Sequence, residues 1–187
     1  MSGILYPDYQ HLWDTLVITD PTAVEQAAKL VLKGKETYEE TVEGTKMPWE
    51  VVGCLHYRES GCDFTTHLHN GDSLKKRTVN VPAGRPLGEP PFTWQESAKD
   101  ALFTLKKLDE IELWDIPTIL KVMEKYNGVV YLRYHPNVLT PYLWACTSNY
   151  FKGKYASDGK FDPELKNKQV GTCPIYRMIT DKTLDLV

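Results

Sequence analysis

Apolar positions recur at helical spacing along most of the chain, most clearly at Val24, Ala27, Ala28, Val31 and Leu32. Steps of three and four residues place these on one helical face. Asp20-Pro21 offers a cap and a first-turn proline, and Lys33-Gly34 a stop. Upstream, Tyr9, Leu12, Trp13, Leu16 and Ile18 predict a short packing helix from about Pro7. Lys35 to Lys46 fits a further helical turn or two, with the acidic run Glu36 to Glu43 as a solvated face. The next helix is expected from about Pro48 to about Ser60, because Pro48 suits a first position and Gly61 a left-handed closing residue. Thr93-Trp94-Gln95-Glu96 is a capping box, and Ala98, Ala101, Leu102, Leu105 and Leu108 continue it as a long core helix. Asp115 caps a helix bearing Ile119, Leu120, Met123 and Tyr126, which Asn127-Gly128 ends. Thr140-Pro141 opens another that runs to about Tyr150, and Gln169 to Ile179 predicts the last, interrupted by Pro174. Val129 to Tyr134, β-branched and aromatic, fits strand or helix equally.

The period changes after Gly61. Cys62 to His69 is β-compatible and leads into Asn70-Gly71-Asp72, and Asn-Gly is the strongest short-range hairpin signal. Lys75 to Pro91 holds prolines at 82, 86, 90 and 91 and glycines at 84 and 88, which predicts an ordered loop long enough to suspect function. Lys152 to Pro163 reads as a loop turning at Asp158-Gly159. The expected class is α+β, predominantly α-helical, with one small β-hairpin. At 187 residues and 42% hydrophobic content, a single domain over residues 1–187 is expected.

Charge narrows the partners. A formal net charge of −3 without a Lys/Arg block argues against sequence-independent nucleic-acid binding. No apolar run approaches the length of a membrane span, and Met1 to Asp20 lacks the basic start and apolar core of a signal peptide. The expectation is synthesis in the cytoplasm and a monomer. Cys54, Cys62, Cys146 and Cys173 show neither metal-site nor scaffold spacing, so reduced, partly buried thiols are expected and no cofactor or metal is indicated. His67 and His69 would share a strand face, but no third ligand accompanies them.

Candidate chemistry centres on the helix before Gly61. Trp49, Val52, His56 and Glu59 fall on one stripe, so a mainly apolar face ends in a carboxylate at the negative end of the helix dipole. Both influences favour the protonated form that a general acid needs. Glu59-Ser60-Gly61, with the later Tyr126-Asn127-Gly128, resembles the goose-type lysozyme and lytic transglycosylase superfamily. A longer ordered set, over roughly residues 48 to 160, is similar to bacterial and phage lysozyme-family proteins of endolysin type. It comprises His56-Tyr57-Arg58-Glu59-Ser60-Gly61, His67-Leu68-His69-Asn70-Gly71-Asp72, Arg77-Thr78, Val81-Pro82-Ala83-Gly84-Arg85-Pro86, Pro91-Phe92-Thr93-Trp94 and Thr140-Pro141-Tyr142-Leu143-Trp144.

The resemblance implies a lysozyme-like fold with its hairpin just after the glutamate helix, and a peptidoglycan-cleaving glycosidase with Glu59 as acid. Its partner would be peptidoglycan or a related amino-sugar polymer at the bacterial cell wall, reached after release or delivery. An inverting hydrolase adds a second carboxylate about 6.5–9.5 Å away. Asp72 and Asp63 are the candidates, and each also fits a turn-holding role. A transglycosylase needs neither. Tyr126, Asn127, Tyr142, Trp144 and His69 are the substrate-site candidates, with core packing as the competing reading for the aromatics. Chitosanase or chitinase chemistry, a non-catalytic murein-binding module, and a hydrolase using Cys54 or Cys62 with His67 are the other readings.

Overall fold

In a computed structural model that describes residues 4–181, the chain is mostly helical and carries one two-stranded antiparallel hairpin, an α+β arrangement. The helices are α1 (Tyr9–Thr15), α2 (Pro21–Lys33), α3 (Lys35–Val42), α4 (Trp49–Ser60), α5 (Trp94–Lys99), α6 (Ile116–Asn127), α7 (Val130–Tyr134), α8 (Pro141–Trp144) and α9 (Thr172–Thr180). Strands β1 (Lys154–Ser157) and β2 (Lys160–Asp162) lie between the last two helices. The described chain divides into two compact units. Lys29–Trp114 forms one, and the segments on either side of it form the other.

In the flanking unit, α1 packs on α6, and α8 lies against both α6 and α9. Tyr9, Trp13, Ile119, Leu120, Met123, Leu143, Trp144 and Ile175 are buried there. Asp8 caps α1 by accepting from the His11 N–H, and Asp115 caps α6 by accepting from the Thr118 N–H. The ambiguous stretch after Gly128 is helical, as α7. Helix α8 is far shorter than the expected run to Tyr150. Ala145 turns extended and Cys146 left-handed (φ 67°), and the backbone bonds go across the chain instead. Thr19 N donates to Cys146 O and Ser148 N to Val17 O, so residues 17–19 capture the groups that a longer helix would have used. Pro174 lies in the first turn of α9, where a missing N–H costs nothing, and the helix is uninterrupted.

In the central unit, α3 packs on α4 and α5 around Tyr38, Val51, Val52, Leu55, Leu68 and Trp94. Gly53 lets α4 approach its neighbours. A Cβ there would sit 2.4 Å from Val31 Cγ1 and 3.0 Å from the Tyr38 ring. The capping box at Thr93 forms as its sequence predicts, with Thr93 and Glu96 bonding reciprocally. The long helix beyond it does not stay regular. After Lys99 it widens into π-helical turns over Asp100–Leu105, and Lys107 (φ 55°) stops it. Wider winding changes which side each residue faces, and Leu105, expected in the buried stripe, is 39% exposed.

The hairpin is not where the Asn-Gly signal put it. Among the described residues, the segment after α4 makes a single bridge, Thr66 with Ser73, while the strand ladder forms around Asp158-Gly159. A strand alternates its faces, but His67, Leu68 and His69 are buried in succession. Turns within the segment take up its backbone groups instead, including His67 N to Asp72 O and Gly71 N to His67 O.

Candidate functional site

Helix α4 delivers Glu59. Residues Val51 to His56 are buried on every side, so the apolar stripe expected from periodicity is part of a fully buried shaft. Trp49 and Glu50 in the first turn and Tyr57 to Ser60 in the last are partly exposed, and Glu59 leaves the core with the last turn. Gly61 ends the helix at φ 65°, its N–H reaching Tyr57 O at 2.9 Å, and Cys62 follows in the same left-handed region. Gly71 is also left-handed (φ 77°), and a Cβ on it would lie 3.2 Å from the Glu59 carbonyl oxygen. The loop after α4 therefore folds back against the helix end that carries the carboxylate.

Below that end lies an aromatic cage. His56 is enclosed by Tyr38, Phe64 and Trp94, with ring centroids 4.5 to 5.8 Å away. The Trp94 indole N–H donates to His56 Nε2 at 3.1 Å, and Tyr38 Oη lies 2.9 Å from Nδ1. An indole only donates, so Nε2 accepts, and the ring is a neutral Nδ1–H tautomer pointing at the tyrosine. The Asp63 carbonyl, 3.2 Å from the same Nε2, then faces a lone pair and takes its hydrogen bonds from the Thr66 N–H at 3.2 Å and hydroxyl at 2.9 Å instead. Burial lowers the His56 pKa to about 4, which agrees with a neutral ring.

Both candidate second carboxylates hold turns. Asp72 Oδ2 accepts from the backbone N–H groups of Val79 and Asn80 at 2.8 and 2.9 Å, and Oδ1 from the Asn80 amide at 2.7 Å. These bonds keep its pKa below the usual carboxylate range although desolvation opposes them. Asp63 Oδ1 accepts from the Thr65 side chain and backbone at 2.7 and 2.8 Å, which lowers its pKa likewise.

His69 is buried, and it belongs to a line of polar groups that periodicity did not reveal. His67 Nε2 lies 2.8 Å from Lys76 O, and His67 Nδ1 2.8 Å from Ser97 Oγ. Ser97 Oγ lies 3.3 Å from His69 Nδ1, and His69 Nε2 is 2.8 Å from Asp100 Oδ2. Arg85 closes the line, its Nε donating to Asp100 Oδ2 at 2.9 Å and its Nη2 to Oδ1. Asp100 begins the π-helical segment, so the loop bearing both histidines is fastened to α5 and its continuation. The spacing His67-Leu68-His69 drew attention to the histidines; nothing local marked Ser97 and Asp100 as their partners.

The remaining candidates lie in the flanking unit. Tyr126 is half-buried and Asn127 exposed at the end of α6, where Gly128 (φ 95°) closes the helix. Tyr142 is 4% exposed and Trp144 is 0% exposed, so both rings are packed in the core and neither offers a face to a sugar. That corrects the expectation of a stacking role, because a sugar must reach the ring it stacks on.

Comparison with protein-family models, with curated proteins and with solved structures finds no match.

The chemistry of the site is accordingly read from its own residues. Among the described residues, no group of three or more His, Cys, Asp or Glu is placed to hold a metal ion. None of the four cysteines forms a disulfide. A Cys62 nucleophile with His67 as base is disfavoured, since burial raises the Cys62 pKa to about 11 and both His67 ring nitrogens are engaged elsewhere. No helix among the described residues is long and apolar enough to cross a membrane.

Proposed function

We propose that the protein is a peptidoglycan-cleaving glycosidase in which Glu59 protonates the leaving oxygen of the β-1,4 bond between N-acetylmuramic acid and N-acetylglucosamine. The observation that carries this reading is the position of Glu59. It stands in the partly exposed last turn of α4, which the left-handed Gly61 closes. The Glu59-Ser60-Gly61 and Tyr126-Asn127 motifs resemble those of the goose-type lysozyme and transglycosylase superfamily, and a lysozyme-like fold belongs to the same proposal. Tyr126 and Asn127 remain the sugar-contacting candidates; Tyr142 and Trp144 do not.

A glycosidic bond breaks when the leaving oxygen gains a proton and a nucleophile takes the anomeric carbon. Water in that role gives a hydrolase, and a hydroxyl of the muramic acid itself gives a transglycosylase. The commitment of Asp72 and Asp63 to their turns favours the second route, in which no further carboxylate is needed. Phage or prophage delivery to the wall fits either route.

The experiment is clearance of a suspension of purified cell wall by the wild type and by Glu59→Gln. The variant keeps shape and removes the acid, so clearance should fall at least about 100-fold with the circular dichroism spectrum unchanged. A folded Glu59→Gln protein that clears the wall at the wild-type rate removes Glu59 from the mechanism.

A further inference from the structure

The line from Lys76 to Asp100 has more contacts than a neutral set of groups has protons. Its ends are a backbone carbonyl and a carboxylate, which only accept. Between them lie four contacts: Lys76 O with His67, His67 with Ser97, Ser97 with His69, and His69 with Asp100. Each needs a proton of its own. Two neutral imidazoles and one hydroxyl supply three. Whichever tautomers are chosen, a neutral network sets two lone pairs against each other at one contact. Asp100 does not provide the missing proton, because Arg85 donates to both of its oxygens and His69 approaches Oδ2 as well.

The geometry points to an imidazolium in the His67/His69 pair, and to this extra proton as the latch that fastens the loop from His67 to Arg85 onto α5 and the π-helical segment after it. The groups facing His69 are Asp100, His67 and Arg85. The carboxylate favours the charge; the guanidinium and the second ring oppose it. Burial, with the opposing guanidinium and second ring, outweighs the carboxylate, so His69 holds a proton less readily than a free histidine. The latch is thus closed in mild acid and loses one contact as the pH rises. The contact between Ser97 and His69, at 3.3 Å the longest of the four, is the one expected to part.

The consequence reaches the helix end. The latched loop includes Gly71, which lies against the Glu59 carbonyl. His67, Ser97, His69 and Asp100 are therefore positioning residues for the last turn of α4, a step that rests on the proposed role of Glu59. The latch itself does not depend on any substrate.

The test is 15N NMR of the histidine side chains of the intact protein, titrated from about pH 8 to about pH 5. One ring of the pair should show both nitrogens protonated at the acid end. Amide exchange of residues 67–85, corrected for its intrinsic pH dependence, should slow at least about 10-fold as that ring charges. Ser97→Ala, which uncouples the rings and lets each take its own tautomer, should abolish the change in protection. Two neutral rings throughout the titration overturn the proposal, and so does an imidazolium whose titration leaves the protection of 67–85 unchanged. Neither result bears on Glu59, whose role is decided by the Glu59→Gln clearance experiment.

Discussion

His56 and Glu124 are buried titratable groups whose effects on stability run in opposite directions with pH. His56 is neutral in the fold with a pKa of about 4, against about 6.5 in an unfolded chain. Between those values the unfolded state binds more protons, so stability is complete above the unfolded pKa and is lost as pH falls toward the folded one. The loss is on the order of 3 kcal/mol, read by urea unfolding at about pH 7 and about pH 4.5 with the His56 titration followed by NMR. Glu124 is 1% exposed, bonded through Oε2 to the Tyr9 hydroxyl, and its pKa is raised by burial despite that bond. Its folded state holds the proton longer than the unfolded one, so its contribution weakens as pH rises through the unfolded pKa. Glu124→Gln should therefore gain stability relative to wild type on going from about pH 4 to about pH 7, and an equal difference at both would contradict the assignment. At this scale the sequence was readable where a residue acts through its neighbours in the chain. Gly61 after Glu59 announced the helix end, and Thr93 with Glu96 announced the cap. His69, Ser97 and Asp100 were not readable as a group, because residues some thirty positions apart meet only once the loop has folded onto α5.

Among the elements, α4 depends on close packing more than on propensity. Gly53 is a poor helix former, retained where a Cβ would collide with Val31 and crowd Tyr38. Gly53→Ala should cost about 1–3 kcal/mol despite the better helix propensity of alanine, measured by thermal or urea unfolding. A neutral or stabilising result would mean that the helices separate more easily than their packing implies. Helix positions were largely legible, since caps and apolar spacing are local signals; α2, α4 and α6 follow their sequence signatures within a residue or two. Elements decided by distant partners were not. Residues 145–148 leave the helical path to bond with 17–19, and the Asn-Gly segment gives up a ladder to bury three consecutive side chains. The π-helical continuation of α5 likewise has no period of its own that the apolar stripe could display.

For the whole molecule, a mainly helical α+β class was legible from composition and periodicity, and the structure has it. The described residues form two compact units, Lys29–Trp114 and the segments that flank it. Length sets the total size of core that a chain can build, but the contact pattern decides how that core is divided. The function proposed for the chain rests on Glu59 and on a resemblance carried by short motifs, so its decisive test is chemical. Purified peptidoglycan should be digested with the wild type and with Glu59→Gln, and the soluble fragments weighed by mass spectrometry. The account predicts muropeptides cut between N-acetylmuramic acid and N-acetylglucosamine from the wild type alone, with anhydro ends if the sugar's own hydroxyl completes the reaction and reducing ends if water does. The same fragments from both proteins, or none from the wild type, would contradict it.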